Sequence, residues 1–480
     1  MFEYVFWCVA GALFGTIVGV IPMAGATIGL LMVFSFADQF LANPYLGVVF
    51  MTALIAATGT SDSFTSILTG IPGSNTSAAS IIDGYPMAKN GQGGRAIGIA
   101  ILDSTVNGLF WGALAFGLMP FYSGVILYFG IPEFAAFMAL SLAAVGFITT
   151  RNVWLSVASL ALGLFVGMIG QDPATGAHRY TFGWDYLAAG VQIIPVIAGL
   201  FAAPALWDGL TKRSNRVQPV TDYWQQVFQG FKDVWTYRRD VARGGVIGFV
   251  TGLLPGVGGS VGDLIAYGAT VAKHPNEKFG NGNPRGLLGC EGANNAQKPA
   301  SLIPTLLFGI PAAPFAVMMM AICLTLGLEL GSPHLLQDDV FVKSMALAFM
   351  VSTILTFFVC LFTAKIIVWV LRTPYWIYAI GIGSVCVWSA WQYSGTVNDL
   401  YILAICSVIG VASVKIGLSR PAILIAYILG PKLENYTQQM MMLYTWPEVF
   451  SRPLFSFLIF SAVALIGWSM LRKNKGIDYS

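Results

Sequence analysis

Charge is what this sequence has least of: Asp, Glu, Lys and Arg make up 10% of its 480 residues, and no Lys or Arg precedes Lys89. A net charge of +3 over that length leaves no basic surface of the kind a nucleic acid needs, so no nucleic-acid partner is expected. Metal-site spacing is missing too. Cys8, Cys290, Cys323, Cys360, Cys386 and Cys406 show no paired pattern, and most sit in apolar segments as small core residues. The three histidines, His178, His274 and His334, lie beside turn residues. No nucleophile and base stand at a recognisable spacing, which disfavours an enzyme. Alternating polar and apolar positions, the mark of a membrane β-barrel, are absent as well. The apolar runs are continuous instead, as at 345–370, with the single charge Lys365, and at 454–470, with none.

What is present is hydrophobicity: 56% of residues are apolar and the mean hydropathy is +0.73. The composition predicts an all-α polytopic membrane protein of about 10–12 transmembrane segments. Met1-Phe2-Glu3 lacks the basic region of a cleavable signal, and the early lack of Lys and Arg predicts an amino terminus on the outer side. Lys212, Arg213, Arg216, Lys232, Arg238, Arg239 and Arg243 mark a cytoplasmic stretch, as do Arg472, Lys473 and Lys475 in the tail. Within 207–243, Tyr223, Trp224, Phe228, Phe231 and Trp235 recur at helical spacing among charges, as in an amphipathic interfacial helix. The chain therefore divides into a transmembrane unit 1–206, a linker 207–243, a second unit 244–452, and a final helix with basic tail 453–480.

The apolar segments are broken in a repeated way. Gly19-x-x-Pro22-x-x-Gly25 returns as Gly252-x-x-Pro255-x-x-Gly258, and Gly70-Ile71-Pro72 returns as Gly309-Ile310-Pro311, at offsets of 233 and 239. Two motifs returning in one order predict a duplicated, inverted-repeat secondary transporter with broken helices. Polar interruptions at Thr58–Ser63 and at Asn294-Asn295 leave apolar arms shorter than the roughly 20 residues that span a bilayer, so two re-entrant hairpins are predicted. Full spans are expected near 96–119, 133–149, 153–170, 187–206 and 453–471. Gly and Pro also serve close packing in membrane helices. Non-helical backbone at membrane depth, however, is tolerated where it lines a cavity, and helix ends there attract ions: amides for carboxylates, carbonyls for cations.

On this reading the candidate substrate ligands in the first unit are Gly25, Ala26, Thr27, Ser61, Ser63, Gly73, Ser74, Asn75 and Thr76. In the second they are Gly256, Gly258, Gly259, Ser260, Asn294, Asn295 and Lys298. Asp62 and Asp263 are candidate ligands of a coupling cation, Na⁺ or H⁺, with Asp263 equally a first-turn helix acid. Asp103 and Asn107 share a helix face, and Asp103 could pair with Lys298. Lys298 itself is either a counter-charge for a carboxylate or a side chain snorkelling to the interface.

Several motifs together resemble the large membrane subunit of tripartite tricarboxylate transporters. They are Gly70-Ile71-Pro72-Gly73, Asp83-Gly84-Tyr85-Pro86, Gln171-Asp172 with Gly176 and Arg179, Gly252 to Gly258, Glu291 with Asn294-Asn295, and Leu429-Gly430-Pro431 with Glu434. The resemblance implies a multi-pass protein of the bacterial inner membrane, working with a small membrane subunit and a periplasmic solute-binding protein. It also implies import of a small di- or tricarboxylate coupled to Na⁺ or H⁺, without a cofactor. Glu291 and Glu434 match the family pattern and could equally satisfy helix ends. Asp62, Asp103 and Lys298 depart from it. An intramembrane enzyme, or a carboxylate channel or exporter lacking a binding protein, stand as the alternatives.

Overall fold

The computed structural model describes residues 2–119, 121, 124, 128–149, 152–172, 175–211, 220, 222–255 and 261–471. Helices dominate. Those of eight residues or more are α1 Phe2–Val20, α2 Gly25–Phe34, α3 Pro44–Thr69, α4 Ser80–Met87, α5 Gly93–Gly117, α6 Ile131–Thr149 and α7 Val153–Gly167. They continue with α8 Ile193–Thr211, α9 Tyr223–Thr236, α10 Arg238–Gly252, α11 Gly262–Lys273 and α12 Pro284–Phe308. The last are α13 Pro314–Thr325, α14 Asp339–Leu371, α15 Tyr375–Ser394, α16 Asn398–Ile416, α17 Arg420–Leu443 and α18 Pro453–Leu471. Among the described residues, seven helices are long and apolar enough to cross a membrane, and four shorter apolar ones accompany them. α14 shows how such a protein is turned inside out. Leu347, Val351, Ile354, Phe358, Phe362, Ile366 and Trp369 form one exposed stripe at helical spacing, facing where lipid would lie.

The predicted breaks at Pro22 and Pro255 are real interruptions. α1 stops at Val20 and α2 starts at Gly25; α10 stops at Gly252 and α11 starts at Gly262. The first break takes Met23 and Gly25 through positive φ (63° and 54°), and it is anchored rather than loose. Met23 N donates to Pro72 O at 2.9 Å, and Thr65 Oγ1 donates to Val20 O at 2.6 Å, satisfying groups the interrupted helix would orphan. The Gly-Ile-Pro motifs are helix stops. Gly70 and Gly309 cap α3 and α12 in the left-handed conformation (φ 68° and 59°), and the proline two residues on cannot resume the helix.

The short arms are a correction. Thr58–Ser63 does not interrupt α3, and Asn294-Asn295 does not interrupt α12; these are single helices of 26 and 25 residues. Small hydroxyls survive inside a helix by donating back to it, as Thr58 does to Ile55 O and Ser61 to Ala57 O, and the remaining polar groups bond across to neighbours. Both helices are buried on every side: Leu46 to Thr69 and Gly286 to Leu307 are buried without exception. A polar helix is stable there because its partners are other helices.

What packs them is a glycine ladder. Gly11, Gly15 and Gly19 of α1 lie against α3, and 233 residues on Gly244, Gly248 and Gly252 of α10 lie against α12. A Cβ on Gly15 would sit 2.6 Å from Leu54 O, and one on Gly252 2.6 Å from Gln297 O. Gly11 meets Phe50 O where Gly244 meets Gly289 O, and Gly15 meets Leu54 O where Gly248 meets Ala293 O, the partners standing 239 residues apart. Both sequence offsets thus reappear as contacts, so the duplication is structural. The halves also exchange arms: α2 packs against α13, while α11 packs against the turn Asn75–Ser77 that corresponds to the start of α13. Reciprocal exchange of that kind is pseudo-two-fold. α9 is the expected amphipathic helix, clamped on α5 by Arg95, which holds Asp233 with two bonds of 2.6 and 2.9 Å, while Trp224, Phe228 and Trp235 stay exposed.

Candidate functional site

The two polar helices meet at Gly59. Its carbonyl accepts from both Asn294 Nδ2 and Asn295 Nδ2 at 3.1 Å, and a Cβ there would lie 2.9 Å from Lys298 Nζ. Only a residue without a side chain lets α12's amides reach α3's backbone this closely. One turn on, Asp62 has no exposed surface. Its Oδ2 accepts from Ser74 Oγ at 2.5 Å and Thr76 Oγ1 at 3.4 Å, and lies 3.7 Å from Lys298 Nζ; its Oδ1 accepts from Asn294 Nδ2 at 3.2 Å. Lys298 is 2% exposed, so it is a buried partner of Asp62 rather than a snorkelling side chain. Nor does it pair with Asp103, whose Oδ1 takes Asn107 Nδ2 at 2.6 Å and whose Oδ2 has no partner among the described residues.

Glu291 lies in the middle of α12, not at an end. Ser63 Oγ (2.7 Å), Ser80 Oγ (2.5 Å) and Ser104 Oγ (3.4 Å) donate to it, and Asn295 Nδ2 donates in turn to Ser104 Oγ at 2.6 Å. Ser63 also reaches Asp62 Oδ1 at 3.4 Å, so one hydroxyl links the two carboxylates. The centre therefore concentrates acids, hydroxyls and amides that α3, α4, α5 and α12 jointly supply. Buried ionisable groups at such depth are costly, and they persist where ions or substrates pass.

Beside this centre is a cavity of about 50 Å³. Met23 to Ile28, Ser74, Thr76 and Lys298 line it from the duplicated helices, with Pro314 and Phe315 from the start of α13; Phe201, Ala205 and Arg420 close it from α8 and α17. The first-turn amides of α2 and α13 thus border it, and helix N-termini attract anions. Sites for small organic ligands run to roughly 300–1,000 Å³, and 50 Å³ holds a few waters only, so this conformation is closed around the site.

Of the residues expected to hold substrate, Gly25, Ala26, Thr27, Ser74, Thr76 and Lys298 come together at this cavity, and Asn294, Asn295 and Ser63 stand behind it in the acid network. Ser61 turns away, donating to Ala57 O and Gly15 O. Gly73 acts through closeness: a Cβ on it would overlap Asp62 O. Asn75 contributes backbone to a short 3₁₀ turn, and its side chain lies outside the described residues. Gly256, Gly258, Gly259 and Ser260 lie outside them too. Asp263 is at the first turn of α11, where Oδ2 accepts from Ala79 N at 3.2 Å and Oδ1 has no partner among the described residues. No group of three or more His, Cys, Asp or Glu among the described residues could hold a metal ion. The sequence reading missed Gly59 and Arg420, which carried no motif.

Other motif residues serve as fasteners. Asp83 Oδ1 accepts from Gly282 N and Asn283 N at 2.9 and 2.8 Å, fixing the turn into α12, and Tyr267 OH donates to its Oδ2 at 3.0 Å. Arg179 bonds Asp172 Oδ2 at 2.9 Å and both oxygens of Glu434, stapling its loop to α17. A second cavity, about 420 Å³, lies nearby, lined by Gln171, Tyr427, Glu329 and Lys432, with Lys432 Nζ on Gly309 O at 3.1 Å. It is the larger space, but it lacks the buried charge network.

No solved structure matches the chain. An "uncharacterized 52.8 kDa protein in TAR-I ttuC' 3'region" of Agrobacterium vitis is 28% identical over 442 residues, covering 91% of this chain and 87% of that protein. An "uncharacterized protein in TAR-II ttuC' 3'region" of the same organism is 25% identical over 198 residues, or 41% of this chain and 81% of that protein. Residues 5–425 match the family described as the tripartite tricarboxylate transporter TctA family, and on that near-complete match the chain belongs to this family of membrane transport proteins.

Proposed function

We propose that the chain is the large membrane subunit of a cation-coupled secondary transporter that imports a small di- or tricarboxylate across a bacterial inner membrane. A small membrane subunit and a periplasmic solute-binding protein complete it. The observation that carries this reading is the cavity between the first turn of α2 and the Asp62–Lys298 pair. A solute carboxylate there would meet helix-end amides, the Ser74 and Thr76 hydroxyls and the Lys298 ammonium, the donor set that carboxylates require.

Glu291 and Asp103 support cation coupling. Both are fully buried and neither has an ion pair among the described residues, so an entering Na⁺ or H⁺ would find carboxyl groups beside the site with no resident cation bonded to them. The closed cavity and the pseudo-two-fold halves support alternating access, with one half inverted relative to the other and the helices after Gly70 and Gly309 moving against α8 and α17.

The test is uptake of labelled carboxylates into proteoliposomes holding this chain and its two partner proteins, with Na⁺ and pH gradients imposed separately. Saturable accumulation driven by one gradient is expected. Flux that neither saturates nor responds to a gradient indicates a channel, and a chemically altered product indicates an enzyme; either overturns the proposal.

A further inference from the structure

Arg420 opens α17 and lines the same cavity as Lys298. Its guanidinium lies over the Phe201 ring, with Cζ 5.6 Å from the centroid. Among the described residues it makes no hydrogen bond and no ion pair; Asp208 is the acid whose field reaches it. Lys298, by contrast, has Asp62 3.7 Å away. A half-buried guanidinium that faces a cavity with no bonded partner is costly, and the family's transport role gives it a reason to stay.

Chemistry points to what would face it. Guanidinium presents two parallel N–H donors that match the two oxygens of a carboxylate, and stacking on an aromatic face holds that fork in one orientation. The α2 amides and Lys298 suffice for one carboxylate. Arg420 is a separate positive group in the same space, contributed by a different part of the fold: α17 and α8 lie outside the duplicated α1–α3 and α10–α12 sets.

We infer that Arg420 binds a second carboxylate of the transported solute, so that the site selects acids with two or more carboxylates over those with one; the assignment rests on the carrier reading above. A solute held at both ends ties the duplicated helices to α8 and α17, and closes the cavity around itself. A monocarboxylate engages only the α2 and Lys298 side and leaves Arg420 unpaired.

The experiment titrates the purified full chain in detergent with succinate, citrate and butyrate, reading ligand-dependent thermal stabilisation, in wild type, Arg420→Gln and Arg420→Lys. Wild type should prefer succinate or citrate to butyrate. Arg420→Gln should weaken the preferred acid by about tenfold or more and leave butyrate unchanged, while Arg420→Lys should recover part of the loss. The ligand-free midpoint of Arg420→Gln should stay close to wild type, since Arg420 makes no hydrogen bond or ion pair among the described residues, which separates lost binding from lost folding. A variant that keeps the wild-type preference, or weakens all three acids equally, overturns this assignment alone. A wild type indifferent to every acid overturns the carrier reading and the assignment with it.

Discussion

Replacing Asp62 with Asn tests whether the centre is a charge pair or a set of polar contacts. The swap keeps the shape but removes the charge that faces the Lys298 ammonium at 3.7 Å, with the lysine only 2% exposed. Removing one member of a buried pair costs about 3–5 kcal/mol, because the other remains charged and dry. Lys298→Gln should cost less, about 1–3 kcal/mol, since Ser74, Thr76 and Asn294 still donate to the Asp62 carboxylate. The double variant removes both charges, so its loss should fall short of the sum of the singles by about 1–3 kcal/mol. Equilibrium unfolding of the four proteins in mixed micelles measures that difference. Additivity to within about 0.5 kcal/mol would refute the pairing. In proteoliposomes the same Asp62→Asn variant should also change the Na⁺ or pH dependence of uptake, and an unchanged dependence would remove Asp62 from coupling.

Gly25→Val should abolish uptake while membrane insertion survives, since position 25 has φ 54° and a Cβ there would press on Ser74 Cβ at 2.6 Å; wild-type kinetics in this variant would move the site elsewhere. Asn294→Ala and Ser74→Ala each take one donor from Asp62 and should lower uptake about tenfold, checked against equal protein in the membrane. Gly15→Leu and Gly248→Leu occupy equivalent rungs of the glycine ladder and should each destabilise by several kcal/mol, on the order of overpacking at a backbone contact. Thermal unfolding that spares one of them would contradict the equivalence of the two halves.

The punctuation of this fold was legible because it is local. Gly70 and Gly309 take the left-handed conformation that ends a helix, and Pro22 and Pro255 stand between glycines where a missing N–H weakens the ladder; proline alone is no stop, since α12 runs on through Pro299 and Pro304. The polar stretches were misread because their solution is not wholly local. Thr58, Ser61 and Asp62 look like a break, but Thr58 and Ser61 bond back to their own helix, and Asp62 is met by Ser74 and, from far away in sequence, by Asn294 and Lys298. The amphipathic linker and the spans around α5, α6 and α8 followed from periodicity and length, whereas α7 and α18, expected as full spans, are among the shorter apolar helices. Gly11 and Gly15 carried no motif, and Gly19 entered only as part of the Gly-x-x-Pro-x-x-Gly break, since the packing role of all three lies in the α3 backbone and the Ser61 side chain that they admit. Arg420 gave no signal beyond its charge, because what singles it out is a cavity built from five other segments.

Cryo-electron microscopy of the full chain with a transported carboxylate bound tests the location of the site directly. The account predicts ligand density at the cavity beside α2, with one carboxylate within hydrogen-bond distance of the Gly25–Thr27 amides or Lys298 and another at Arg420, and with the cavity enlarged from its closed volume of about 50 Å³. Density in the larger space by Lys432 and Tyr427, with the α2 cavity still shut, would contradict it.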